Sequence, residues 1–257
     1  MEPIAGVICI EPSREDEACK LAHKLKLPFQ TILTEHPRGY YLLVTKQRIE
    51  LVPPKSLGFT PLYVDFTDKK ITYRLKKISV KNEDLAKAIG CKPGIPRPRI
   101  LDATAGLGQD AMVLAGLDCT LYLCERCNIL STLLADGLQR AKNMAHPPYF
   151  LKNIVSLTPE NAIDFLRNTT VKFDVIYLDP MFPTRQKSAL VKREMRILSD
   201  IIGLDTDAST LLALSLQKAK KRVVVKRPRL SLALEGPICT YTINGKSIRY
   251  DIYVIQE

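Results

Sequence analysis

No apolar run in this sequence approaches the roughly 20 residues that a membrane-spanning helix requires. The start, MEPIAGVICIEPSRED, has no basic stretch and turns acidic at once, which makes a poor secretory leader. A cytoplasmic location is therefore expected, with no membrane partner. Histidine is scarce, and His23, His36 and His146 fall in no catalytic or metal-binding pattern. A Cys-x-x-Cys stands at Cys124–Cys127, but no second one completes a four-thiolate zinc site. Seven cysteines, an odd number in a chain of 257 residues, do not read as a disulfide framework. Most are expected as small buried hydrophobes.

What the sequence does have is positive charge. The formal net charge is +11, which favours a polyanionic partner, nucleic acid or a membrane surface. Two basic stretches stand out: TRQKSALVKREMR (184–196) and KAKKRVVVKRPR (218–229). A charge run is equally compatible with a solvated helix face, so location decides its meaning.

The first ninety residues read as mixed and show no fixed repeat. Residues 13–26 suggest a short helix, and YYLLVTKQRIELV (40–52) a hairpin. LYVDF (62–66) and ITYRLKK (71–77) read as two more short strands. A helix follows in NEDLAKAIG and stops at Gly90; then comes KPGIPRPR (92–99), a Pro-rich boundary. This predicts a small α+β domain over 1–90 and a larger domain over 91–257. In the second part, apolar strands alternate with helices: strands near 99–104, 119–125, 153–157, 173–179 and 222–227, with helices between them. Two short strands, 238–243 and 249–255, follow without a crossover helix. The pattern predicts an α/β fold, a mostly parallel sheet covered on both faces with an antiparallel edge at its C-terminal end.

LDATAGLGQDA (101–111) is a strand, a tight small-residue turn and the start of a helix. Glycines there let backbone amides approach a ligand, and the helix start adds partial positive charge. Two ligand readings compete. GLGQDA (106–111) matches a dinucleotide fingerprint, with Glu125 at the distance of a ribose-binding acid. Asp102, however, ends the strand just before Gly106. It is unwelcome beside a pyrophosphate and suits the cationic amino-acid end of S-adenosylmethionine (SAM). The pattern Asp-x-Thr-x-Gly-x-Gly, Asp102 to Gly108, is close to the first motif of SAM-dependent methyltransferases. In either reading Glu125 accepts hydrogen bonds from both ribose hydroxyls.

YLDPMFPTRQKSA (177–189) carries the most chemistry. An apolar strand ends in Asp179-Pro180-Met181-Phe182, similar to the Asp/Asn-Pro-Pro-Phe/Tyr motif of methyltransferases that act on planar amines. Such an amine is a poor nucleophile because its lone pair is delocalised. A carboxylate and a backbone carbonyl that accept its N–H bonds favour a more electron-rich nitrogen. Pro180 stiffens the loop, and Phe182 offers a stacking face. Met181 stands where a second proline is usual. Arg185, Lys187, Lys192 and Arg193 follow directly, where phosphates flanking an exposed base would lie. Lys226, Arg227 and Arg229 follow another strand and border the same face in this reading.

With DATAGLGQDA, the Glu-Arg of LCERC, LLADGLQRA and YLDPMFPTRQKSALVKREMR in view, the chain resembles the RsmJ family, the guanine-N2 methyltransferases of small-subunit ribosomal RNA. The strong resemblance covers about residues 99–200, extended by KRVVVKRP and RYDIYV. It implies a Rossmann-like SAM-binding domain that methylates N2 of one guanine in 16S rRNA, with SAM as cofactor, no metal, and the 16S rRNA or small subunit as partner. It places cofactor contacts on Gln109–Asp110, Glu125–Arg126, Asn161–Ala162 and Asp179. The family commonly has Arg in place of Gln109 and Ser-Ser in place of Asn161-Ala162. Methylation of DNA adenine or protein glutamine, an NAD-binding oxidoreductase, and an RNA-binding protein that merely retains SAM are the alternatives.

Overall fold

The computed structural model describes residues 4–31, 39–68, 71, 73, 75, 77–181, 197, 200–202 and 205–256. Two compact units divide the chain. One takes Met1–Asp65, Thr132–Arg140 and Met181–Leu204; the other takes Phe66–Ser131, Ala141–Pro180 and Asp205–Glu257.

In the first unit, β1 (Ile4–Cys9), α1 (Glu15–Leu25), β2 (Phe29–Gln30), β3 (Tyr40–Val44) and β4 (Ile49–Val52) follow in chain order. The sheet order is β2-β1-β3-β4. β1 runs parallel to β2 and β3, and β3–β4 is the antiparallel hairpin read from residues 40–52. α1 starts with Glu15, Asp16 and Glu17, ends with His23 and Lys24, and buries Ala18 and Ala22. Its charges complement the helix dipole at both ends. LYVDF does not form a strand; only Leu62 bridges, antiparallel, to Leu51.

The second unit holds α2 (Asp84–Ala88), β5 (Arg99–Asp102), α3 (Gln109–Gly116), β6 (Thr120–Cys124), β7 (Ile154–Thr158), α5 (Ala162–Asn168), β8 (Phe173–Leu178), α6 (Ala208–Lys218), β9 (Ala219–Pro228), β10 (Tyr241–Asn244) and β11 (Ile248–Val254). Between β6 and β7 runs α4 (Asn128–Lys142), whose middle, Thr132–Arg140, belongs to the first unit. The expected strand at 71–77 is corrected. Ile71, Tyr73, Leu75 and Lys77 are helical. Leu75 is buried and Tyr73 exposed, so the four-residue spacing of Ile71 and Leu75 outweighs their alternation.

The sheet order is β10-β11-β9-β8-β5-β6-β7. β5 pairs in parallel with both β6 and β8, so the chain starts at the centre, builds outward to β7, then returns to β8 and β9. The order reverses between β5 and β8, and open α/β sheets bind ligands beyond the strand ends at that point. β11 enters antiparallel between β9 and β10. Leu101, Ile176, Leu178, Val223 and Val225 form one buried cluster under α5 and α6, and the intervening Ile100, Val175, Tyr177 and Val224 are buried too, so the central strands are apolar on both faces. Among the described residues, no helix is long and apolar enough to cross a membrane.

Candidate active site

Three neighbouring strands deliver acids to the switch point. Asp102 closes β5, its carboxyl buried, with Oδ1 accepting the Thr104 amide at 3.2 Å. Burial, then the nearby Asp110, pushes its pKa well above the ordinary carboxylate range, and Asp179 and Glu125 add to the rise. The turn that follows needs two glycines: Gly106 at φ 54 and Gly108 at φ 75 lie in the left-handed region. Gly108 caps α3 and sets Asp110 in its first turn.

Glu125 follows β6 and is buried. Its Oε2 accepts the Gly106 amide and its Oε1 the Cys127 amide, both at 2.7 Å. Burial raises its pKa and these two amides oppose the rise. The clamp fixes the direction of the carboxylate, and each oxygen keeps a lone pair for a ribose hydroxyl. The flanking thiols serve elsewhere. Cys124 is buried, donates to the Glu160 carbonyl at 3.1 Å, and has its pKa pushed up to about 12 by burial. Cys127 contributes its backbone amide.

Arg126 pairs with Asp207 at 2.9 Å and with Asp205, the residues just before α6. Asn161 caps α5, its Oδ1 accepting the Ile163 amide at 2.9 Å while Nδ2 donates to Asp207 at 3.3 Å. Ala162 is buried at the start of α5, and Gln109 is exposed at the start of α3. The side chains of Arg126 and Asn161 therefore share one carboxylate, a link hidden in the sequence because Asp207 is far away in the chain.

At the end of β8 the Asp179 amide donates to Thr104 Oγ1 at 2.6 Å. The Lys226 ammonium donates to Asp179 Oδ2 at 2.8 Å and to Asp110 Oδ2 at 2.7 Å, and the buried Tyr177 hydroxyl donates to that same Asp110 oxygen at 2.7 Å. Desolvation raises the Asp179 pKa, Lys226 lowers it, and Asp110 and Asp205 raise it further. Pro180 is buried and Met181 half-buried. Phe182, Arg185, Lys187, Lys192 and Arg193 lie outside the described residues. Two of the cations expected to face phosphates are committed to protein groups. Lys226 holds the two carboxylates, and Arg227, 5 % exposed, donates to Ser231 Oγ and the Leu232 carbonyl. Neither enters the proposed RNA contact. Sequence reasoning missed Tyr177, Asp205 and Asp207; a hydroxyl inside the apolar run FDVIYL was the one available signal.

Asp110 and Asp179 hold one ammonium between them and Asp102 lies beside both acids, a set of carboxylates that suits a ligand with a cationic end. Glu125, clamped beside the glycine turn, suits a ribose. SAM has both parts, so the residues fit it. A dinucleotide would set its pyrophosphate against the same acids, and that alternative fails on charge.

A family model described as a putative SAM-dependent methyltransferase matches residues 20–255. A relative from Coxiella burnetii, named ribosomal RNA small subunit methyltransferase J, is 43% identical over 245 residues, covering 95% of this chain and 94% of its own. One of the same name from Tolumonas auensis is 41% identical over the whole of both chains. The crystal structure of a SAM-dependent methyltransferase from Neisseria gonorrhoeae matches with a TM-score of 0.71 at 30% identity, covering 96% of this chain and 95% of that one. The acids at the switch point, the glycine turn between them and these matches over nearly the full length agree: this chain belongs to the SAM-dependent methyltransferase family.

Proposed function

We propose that this enzyme methylates small-subunit ribosomal RNA at the exocyclic N2 amine of a guanine. The observation that carries the reading is the placement of Asp179-Pro180 at the end of β8, with the Asp179 amide held by Thr104 and its carboxylate beside Asp110. The Asp179 carboxylate and the backbone carbonyl of the Asp-Pro step accept the two N–H bonds of the amine, which sharpens its lone pair. Pro180 limits the backbone to one shape and contributes no competing N–H. SAM, when bound, supplies a methyl already activated by its positive sulfur. The protein's share is therefore mostly alignment of the nitrogen, with no covalent intermediate.

Phe182 stacks on the extruded base, and Arg185, Lys187, Lys192 and Arg193 contact the flanking phosphates. The net charge of +11 agrees with a polyanionic substrate. The relatives from Coxiella and Tolumonas are named for the same class of RNA, and a cytoplasmic site of action follows from that substrate. The test is transfer from labelled SAM to small subunits purified from a strain lacking this gene, with the product nucleoside identified by mass. N2-methylguanosine is expected, and Asp179→Ala should lower transfer by about 10²-fold or more. Label on DNA adenine or a protein glutamine instead, or undiminished transfer by Asp179→Ala, would overturn the reading.

A further inference from the structure

β8 ends at Leu178, while β9 runs on to Pro228 against β11. Leu178 pairs with Val225, and on the far side of β9 Lys226 pairs with Tyr250 of β11. Asp179 is the first residue beyond β8 and Lys226 is the next residue of β9 after Val225, so the two stand side by side where β8 stops. The Lys226 side chain is only 21% exposed, and its Nζ lies between Asp179 Oδ2 and Asp110 Oδ2. Asp110 comes from a different element, the first turn of α3, and its bridging oxygen is fixed again by the Tyr177 hydroxyl. A lysine pinned by two carboxylates from two elements is built into the site.

We propose that Lys226 is a positioning residue for methyl transfer: its ammonium, anchored on Asp110, holds the Asp179 carboxylate ionised and in one orientation, leaving Oδ1 to accept the N–H of the target amine. The proposal rests on the role proposed above for Asp179. The physical need is clear from the neighbours. Asp102, Asp110 and Asp205 repel charge on Asp179, and the phenols of Tyr177 and Tyr250 face the same cluster. Partial burial and like charge together favour a protonated acid, and a protonated acid is a poorer acceptor for an amine N–H. The ammonium offsets both effects at the single oxygen it occupies. The arrangement also keeps Lys226 itself charged, because the two carboxylates outweigh its desolvation.

The experiment measures kcat against pH at saturating SAM and RNA for the wild type, Lys226→Met, Lys226→Arg and Asp110→Asn. Lys226→Met should lower kcat near neutral pH about tenfold or more and move the acid limb upward by about one pH unit or more. Lys226→Arg keeps the charge and should restore most of the rate. Asp110→Asn removes a like charge and should move the acid limb downward, the opposite direction. Calorimetry supplies a readout apart from turnover. Removing a positive charge beside a cationic ligand should leave SAM binding by Lys226→Met at pH 8 no weaker than in the wild type. A purely structural lysine would weaken binding and leave the acid limb in place.

An unmoved acid limb in Lys226→Met, or SAM binding weakened in step with kcat, overturns the proposal. If Lys226→Met does not fold, Asp110→Asn decides: an unmoved or raised acid limb overturns it. Asp179→Asn separates this failure from that of the underlying function. Full transfer by Asp179→Asn sinks the role of Asp179 itself. Lost transfer there, with an unmoved limb in Lys226→Met, sinks only the role of Lys226.

Discussion

The surroundings of Asp102 oppose its charge, and the cost of holding it shows in a measurable way. Its carboxyl is buried among Asp110, Asp179 and Glu125, so its pKa in the folded protein lies well above that of the unfolded chain. A raised carboxylate contributes stability that is complete below its ordinary pKa of about 3.9 and is lost as pH rises through the folded value. Asp102→Asn keeps an oxygen for the Thr104 amide and removes the ionisation. Thermal melts should therefore show the variant level with the wild type near pH 4 and higher by about 2–4 °C per kcal/mol recovered at pH 8. SAM affinity should fall in the same variant, because an acid facing the cationic end is gone. A lower melting temperature at pH 8 would refute the account. At this scale the sequence was readable where partners are close in the chain. Glu125, rather than the cysteines around it, could be chosen because the glycine turn lies only nineteen residues away. The Lys226 contact with Asp110 spans 116 residues and exists only because the fold brings β9 beside the start of α3.

Among the elements, hydrophobic period told helix from strand wherever a segment was long. Among the described residues the alternation from β5 to β9 was readable, because buried parallel strands are continuous apolar runs and the helices between them are not. The segment at 71–77 was misread because seven residues fit two periods, and the choice was made by packing. A Cβ on Gly116 would come within 2.6 Å of Leu75 Cδ2, so α3 keeps a bare position there that Leu75 fills. Gly137 in α4 has a similar cause that its sequence context hides. A Cβ there would lie 2.5 Å from Val64 Cγ1 and 3.1 Å from the Val64 carbonyl oxygen. The same carbonyl accepts a hydrogen bond from Arg140 one turn on. Alanine improves helix propensity by about 1 kcal/mol over glycine. Here Gly137→Ala should nonetheless destabilise the protein by about 1–3 kcal/mol, since backbone would have to move. Denaturant titration checks the sign, and a stabilised variant would show that Val64 yields freely.

For the molecule as a whole, charge divides the two ligands. The chain carries a net charge of +11, yet the switch point gathers acids around one lysine. The acids suit a small cationic cofactor, and the surplus of lysine and arginine suits a large anion. Salt separates these cases, because each phosphate neutralised releases counterions and adds about 0.7–0.9 to the slope of log affinity against log salt. A buried site of mixed charge has no comparable term. RNA binding should therefore weaken steeply with salt while SAM binding, followed by calorimetry, changes little. The run 184–196 carries Arg185, Lys187, Lys192, Arg193 and Arg196 against one acid, Glu194. Joint replacement of Lys187 and Arg193 by Gln should reduce the RNA slope by about 1–2 and leave SAM affinity unchanged. If the slope stays where it was, phosphate contact lies on other lysines and arginines, and the segment after Asp179 serves the target base alone.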